Sequence, residues 1–259
     1  MTRRQTLLQA LRRAGRVLSL RFGNVSYRQK RRADLVTVAD LQSQEVILST
    51  IRRDFPHDDF QAEENAARST GAEHSWIIDP LDGTTNYAHG YPASTVSIGV
   101  LRHHRPVLGG VYDPFRDELF LAEKDRGTTL NGRKVHVTQT RRVADSLLIT
   151  GFAYDRAERA DVYLAPFKSF LTRCHDVRRS GSAALDLAWI SAGRADGFWE
   201  QGLSPWDVAA GWLLVSEAGG KISDFKGRPW TDPGKFGAET LASNGKIHSE
   251  MSRMIRKAR

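Results

Sequence analysis

Leu7, Leu11, Ala14 and Leu18 recur at helical spacing near the start of the chain. They form one apolar stripe, so the first segment reads as a helix packed on a core. The same stretch is arginine-rich and free of acids, as transit peptides are. The stripe favours the packed helix. The basic run Arg28 to Arg32 falls in a loop or hairpin. ADLVTVADLQSQEVILSTIRRDF (33–55) then opens a second helix, with Leu41, Val46, Ile47, Ile51 and Phe55 as its apolar face. HSWIID (74–79) is a short buried strand. STVSIGVLRHHRPVLGGVYDPFRDELFLAE (94–123) alternates apolar runs with turn residues, as an antiparallel meander does. RGTTLNGRKV (126–135) reads as a further hairpin turning at Asn131-Gly132.

Beyond about Asp145 the pattern changes to strands alternating with helices. SLLITGF (146–152), ADGFWE (195–200) and KISDF (221–225) read as strands. Glu158–Phe170, SAALDLAWISAG (182–193) and WDVAAGWLLVSEAGG (206–220) read as helices. An α+β part over 1–144 and an α/β part over 145–259 are therefore expected, sharing one compact body.

With 259 residues, 40% of them hydrophobic, the chain can bury a large core without staples. Cys174 is the only cysteine, so an internal disulfide is excluded and a cytoplasmic setting is expected. No apolar run has the length of a membrane span. The net charge of +8 suits an anionic partner or simply a solvated basic surface.

The densest chemistry lies in WIIDPLDGTTNY (76–87). Asp79 ends a strand and Asp82 follows one turn on, with the Leu81 carbonyl between them. Hard cations such as Mg²⁺ take oxygen ligands of this kind. Gly83-Thr84-Thr85 comes next, at a helix start whose unpaired amides suit phosphate. Phosphoryl chemistry needs both features together. The plainer role for both aspartates is to cap a turn and a helix. Glu63 and Glu64, Asp207 and Asp40 are further acids in suitable places. Each also has a plain role, as solvated surface for the glutamates and as helix caps for the aspartates.

DLVTVAD (34–40), AEE (62–64), WIIDPLDGTTNY (76–87), VSIGV (96–100), RRSGSAALDLAWISAGRADGFWE (178–200) and LSPWDVAAGWLLVSEAGG (203–220) together resemble the inositol monophosphatase family, within the Mg²⁺-dependent, lithium-sensitive phosphatases. They occur in that family's order and cover nearly the whole chain. The resemblance implies a layered αβαβα sandwich, a homodimer, and hydrolysis of a phosphate monoester by metal-activated water. It also implies that Glu63, Asp79, the Leu81 carbonyl, Asp82 and Asp207 hold two to three Mg²⁺ ions. Thr84, paired with Asp40, would orient the water, and the Gly83 and Thr84 amides would bind phosphate. Ser182, Ala183 and Glu200 match positions that meet the alcohol, and Asp82 and Asp207 border it. Lys30 best matches a lysine common before DLVT, and Tyr87 stands where Phe is frequent.

A polyol phosphate such as inositol monophosphate is the expected substrate. A 3′(2′),5′-bisphosphate nucleotide or histidinol phosphate is the alternative. A protein of another class stays open: a nucleic-acid-binding or regulatory protein using Arg28, Lys30, Arg31 and Arg32. No membrane partner is expected. Cys174 lacks an activating motif, and His103-His104 lie in an expected exposed turn, without metal-ligand spacing.

Overall fold

A computed structural model describes residues 1–23, 26–31, 34–64, 66–230 and 236–258. Arg32 of the basic run lies outside the described residues, as does the side chain of Arg31. Helix α1 (Arg3–Arg21) begins at a reciprocal cap. The Thr2 hydroxyl accepts the Gln5 amide and the Gln5 side chain accepts the Thr2 amide. Its stripe Leu7, Leu11, Ala14 and Leu18 is fully buried, as a packed helix requires.

Strands β1 (Tyr27–Arg31) and β2 (Asp34–Thr37) then form an antiparallel hairpin. DLVT is thus a strand rather than the opening of the second helix. Thr37 is the N-cap, and α2 (Val38–Asp54) starts only after it. Its buried side runs through Ala39, Ser43, Ile47 and Ile51. Leu41, expected there, is 53% exposed. It lies six residues before Ile47, about 120° around the axis.

An eight-stranded sheet follows. Its members are β3 (Asp59–Ala62), β4 (Ala66–Arg68), β5 (His74–Asp82), β6 (Thr95–Arg102), β7 (Arg105–Asp113), β8 (Glu118–Glu123), β9 (Gly127–Leu130) and β10 (Arg133–Val135). The order is β10-β9-β8-β7-β6-β5-β3-β4, antiparallel except for β3 beside β5. The meander is therefore present. His103 and His104 form its exposed turn, and Asn131-Gly132 turns the last hairpin with both φ angles positive. The short helix α3 (Thr84–Ala88) leaves the end of β5.

The rest of the chain builds a five-stranded mixed sheet from β11 (Leu147–Thr150), β12 (Asp176–Arg178), β13 (Gly197–Gln201), β14 (Lys221–Ser223) and β15 (Glu239–Ser243), in the order β12-β11-β13-β15-β14. Helices α4 (Ala160–Leu171), α5 (Ala183–Ser191), α6 (Pro205–Glu217) and α7 (His248–Ala258) alternate with these strands. Strand β15 and helix α7 were not expected from the sequence pattern.

Helices α1 and α2 cover one face of the large sheet, and α5 and α6 cover the other. The second sheet closes over α5 and α6, and α4 and α7 lie outside it. This is the αβαβα order that the family resemblance implied. Among the described residues no helix is long and apolar enough to cross a membrane.

One contact in the middle layer sets the position of α6. Gly99 on β6 and Gly109 on β7 face its backbone. A Cβ at Gly99 would stand 2.8 Å from the Ala209 Cβ, and one at Gly109 would stand 3.0 Å from the Ala210 Cα. With no side chain between them, helix and sheet meet at backbone distance.

Candidate active site

The turn at the end of β5 is a bulge. Asp79 pairs with Ser97 and Asp82 with Thr95, so β6 has one intervening residue where β5 has two. Those two are Pro80, which has no amide to pair, and Leu81. The Asp79 carboxylate accepts the Leu81 amide at 3.0 Å, and Ser43 of α2 donates to the Pro80 carbonyl at 2.7 Å. Gly83 follows in the left-handed region, with φ +87. A Cβ there would lie 2.8 Å from the Ala93 carbonyl oxygen.

Asp207 arrives from the first turn of α6, behind Pro205. It accepts the Ser204 amide at 2.7 Å, so it also caps its helix. One oxygen from each of Asp79, Asp82 and Asp207 lies within 4.8 Å of the others. Glu63 follows β3, held by its amide on the Ile78 carbonyl at 3.2 Å. Its carboxylate stands outside that group of three and 3.4 Å from the Lys30 ammonium. Lys30 also pairs with Glu64. Of the two glutamates, Glu63 lines the cavity and Glu64 does not.

These acids perturb one another. Burial, then Glu63, Asp82 and Asp207, push Asp79 well above the usual carboxylate range. Burial and Asp82 raise Asp207 to about 8. Burial, opposed by Lys30 and reinforced by Asp207, raises Glu63 to about 8. Lys30 faces the two glutamates rather than the aspartates. Oxygen donors crowded in this way, without a cation on the aspartates among the described residues, fit a hard divalent ion.

The remaining expected residues surround this cluster. The Thr84 hydroxyl lies 3.1 Å from Asp40 and 3.0 Å from the Leu81 carbonyl. Asp40 in turn accepts the Thr37 amide and hydroxyl at 2.8 and 2.6 Å, and burial pushes it up to about 6. Asp40 therefore both caps α2 and reaches Thr84. Ser182 is 1% exposed. Its buried hydroxyl donates to Asp82 Oδ2, the nearest strong acceptor. The amide of Ala184 donates to the same oxygen at 2.7 Å. Ala183, Gly83 and Thr84 line the cavity.

Glu200 is buried on β13, raised to about 8 by burial and by Asp186. Space for it exists because residue 151 is glycine. A Cβ there would lie 2.0 Å from a Glu200 oxygen.

The cavity holds about 760 Å³. Tyr154, Arg156 and Arg179 also line it. No sequence motif marked Tyr154 or Arg156, which come from a loop that only the fold brings here, and Arg179, within the family-like stretch 178–200, had been given no role. Tyr87, in the place of a frequent Phe, is buried and donates to the Leu18 carbonyl at 2.6 Å. Cys174 lies off the cavity, its thiol donating to the Asp176 carbonyl and its pKa raised by burial. That leaves it no character as a nucleophile.

Residues 2–258 match the model of the Inositol monophosphatase family. An inositol-1-monophosphatase of Synechocystis is 45% identical over 251 residues, 95% of this chain and 86% of that protein. The Nus factor SuhB of Salmonella typhimurium is 43% identical over 224 residues, 85% of this chain and 84% of that protein. The structure of an inositol monophosphatase from Anabaena superposes with a TM-score of 0.88 at 45% identity, covering 99% of this chain and 97% of that one.

Proposed function

The chain belongs to the inositol monophosphatase family, and from that premise we propose that it hydrolyses a small polyol phosphate, inositol monophosphate first, with Mg²⁺ as its metal. It is a phosphoric monoester hydrolase of a metal-dependent family. The observation that supports the reading most is the arrival of Asp207, from a distant helix, on the Asp79–Asp82 turn.

Asp79, Asp82 and Asp207, with Glu63 and the Leu81 carbonyl, would hold two to three ions. When bound, divalent cations lower the pKa of water towards neutrality and neutralise charge on phosphoryl oxygens. The chain's own groups do the rest. Asp40 accepts the Thr84 proton, which leaves a lone pair of the Thr84 oxygen to receive a hydrogen from the attacking water. Glu63 accepts a proton at the cluster's edge. The amides of Gly83 and Thr84 hold the phosphate against the turn. Glu200 accepts hydrogen bonds from the hydroxyls of the polyol, in the space left by Gly151. No protein nucleophile is required. A homodimer belongs to the same proposal, on family resemblance, and sedimentation velocity tests it.

The basic-surface reading is weakened by Lys30, which is engaged with Glu63 and Glu64.

A phosphate-release screen decides the reading. Inositol 1-phosphate, histidinol phosphate and 3′-phosphoadenosine 5′-phosphate are each offered with Mg²⁺ and with excess chelator. Fastest turnover of inositol 1-phosphate, abolished by chelator, is expected. Full activity in chelator refutes the metal chemistry, and preference for either other ester refutes the polyol assignment.

A further inference from the structure

Asp186, in the first turn of α5, is 1% exposed, and the Arg179 guanidinium acts on it only from a distance, with no ion pair to it among the described residues. A carboxyl buried so deeply is costly unless it is paired or hydrogen-bonded. It accepts a hydrogen bond from the Ser180 hydroxyl. Ser180 is held from its other side as well. Asn86 of α3 donates through Nδ2 to the Ser180 carbonyl at 2.8 Å and to the Ala93 carbonyl at 2.7 Å. The next residue, Gly181, has φ +90, a conformation that does little to hold a turn by itself. One residue further, the Ser182 hydroxyl reaches Asp82 Oδ2, and the Ala184 amide reaches the same oxygen. Two donors on one oxygen fix the rotation of that carboxylate.

We infer that Asp186 is a positioning residue for the metal cluster: by gripping Ser180 it holds the 180–182 turn, and that turn sets the orientation of Asp82. The inference rests on the metal-dependent reading above. Asp186 touches neither ion nor substrate. It acts as a hydrogen-bond acceptor, so asparagine can replace it and alanine cannot.

The test uses the full chain and reads metal binding directly, as Mn²⁺ affinity by electron paramagnetic resonance. It adds the Mg²⁺ half-saturation of phosphate release. Ser180→Ala and Asp186→Ala each weaken Mn²⁺ binding about tenfold, as loss of an outer-shell hydrogen bond does. They raise the Mg²⁺ half-saturation in step and leave KM for the ester at saturating metal unchanged. Asp186→Asn stays within about twofold of the parent, and the double variant Ser180→Ala/Asp186→Ala is no worse than either single one. Circular dichroism confirms folding. If Asp186→Ala does not fold, Ser180→Ala and Asp186→Asn decide. A folded Ser180→Ala protein with parental Mn²⁺ affinity overturns the inference. So does an Asp186→Asn protein as impaired as Asp186→Ala, since charge rather than orientation would then be at work. A parent chain that binds no Mn²⁺ removes the metal reading itself, whereas a parent that binds it beside unaltered variants removes only the inference.

Discussion

Asp79 shows how one side chain serves two ends. It accepts the amide of its own turn and repels three neighbouring acids. Its removal therefore has opposite effects on activity and stability. Asp79→Asn is expected to lower phosphate release by more than about 100-fold, exceeding the loss usual for an outer-shell partner. In chelator the same variant is expected to melt a few degrees higher, because less charge is crowded there. A phosphate-release assay with Mg²⁺ checks the first sign and calorimetry in chelator the second. His248 gives a separate prediction, away from the site. Its Nε2 lies 2.8 Å from Ser223 Oγ, which donates to the Asp224 carbonyl, and its Nδ1 lies 3.0 Å from Ser243 Oγ, which accepts the Gly245 amide. That network suits a neutral ring, and burial lowers its pKa to about 4. Since the unfolded ring takes up its proton near 6.5, stability is complete above that pH and falls as pH drops towards 4. The loss approaches roughly 3 kcal/mol, and it should disappear in His248→Gln when urea unfolding is followed across that range. Asp79 and Asp82 stood out in the sequence because hard cations take oxygens gathered at such a turn, whereas Asp207 read as a helix cap until the family resemblance gave it a place beside them. Asp186 and Asn86 did not stand out, since their meaning lies in contacts with Ser180 through space.

Among the elements, helix α1 and the meander were legible from periodicity alone, whereas helix α7, amphipathic over 11 residues, was missed. Strand β4 and β15, three and five residues long, carry too little pattern to stand out, and their partners define them. The opening of α2 was misjudged because DLVT runs into the helix with no glycine or proline between them. A capping threonine, Thr37, is what ends β2 and starts the helix. At this scale β11 and β13 yield a prediction about selectivity. Gly151 leaves β11 beneath Glu200, and its backbone is open to alanine because its φ is not positive. Gly151→Ala should therefore fold normally and displace the Glu200 carboxylate. KM for inositol 1-phosphate is expected to rise about tenfold, the size of one or two lost hydrogen bonds. An aliphatic phosphate without vicinal hydroxyls should be affected little. Steady-state kinetics on the two esters compares them, and an equal change in both would refute the role given to Glu200.

At the scale of the whole molecule, the layer order was carried by family resemblance and not by periodicity, which cannot say which face of a sheet a helix covers. The acids come from β3, β5 and α6, so the native state alone brings them together. Metal should then stabilise the fold by mass action. At a hundredfold excess over its dissociation constant that amounts to about 2.7 kcal/mol, or roughly 5–10 °C in the melting midpoint. Differential scanning with Mg²⁺ against chelator measures it, and an unmoved midpoint would contradict a cluster assembled by folding. The glycines under α6 extend this dependence into the interior. Asp207 rides on a helix whose height above the large sheet is set by Gly99 and Gly109. A single methyl at either position would lift that helix as a shim lifts a beam, and the charge at its tip would rise with it. Affinity for the ion is thus adjustable from beneath, by residues that never meet water, ion or ester.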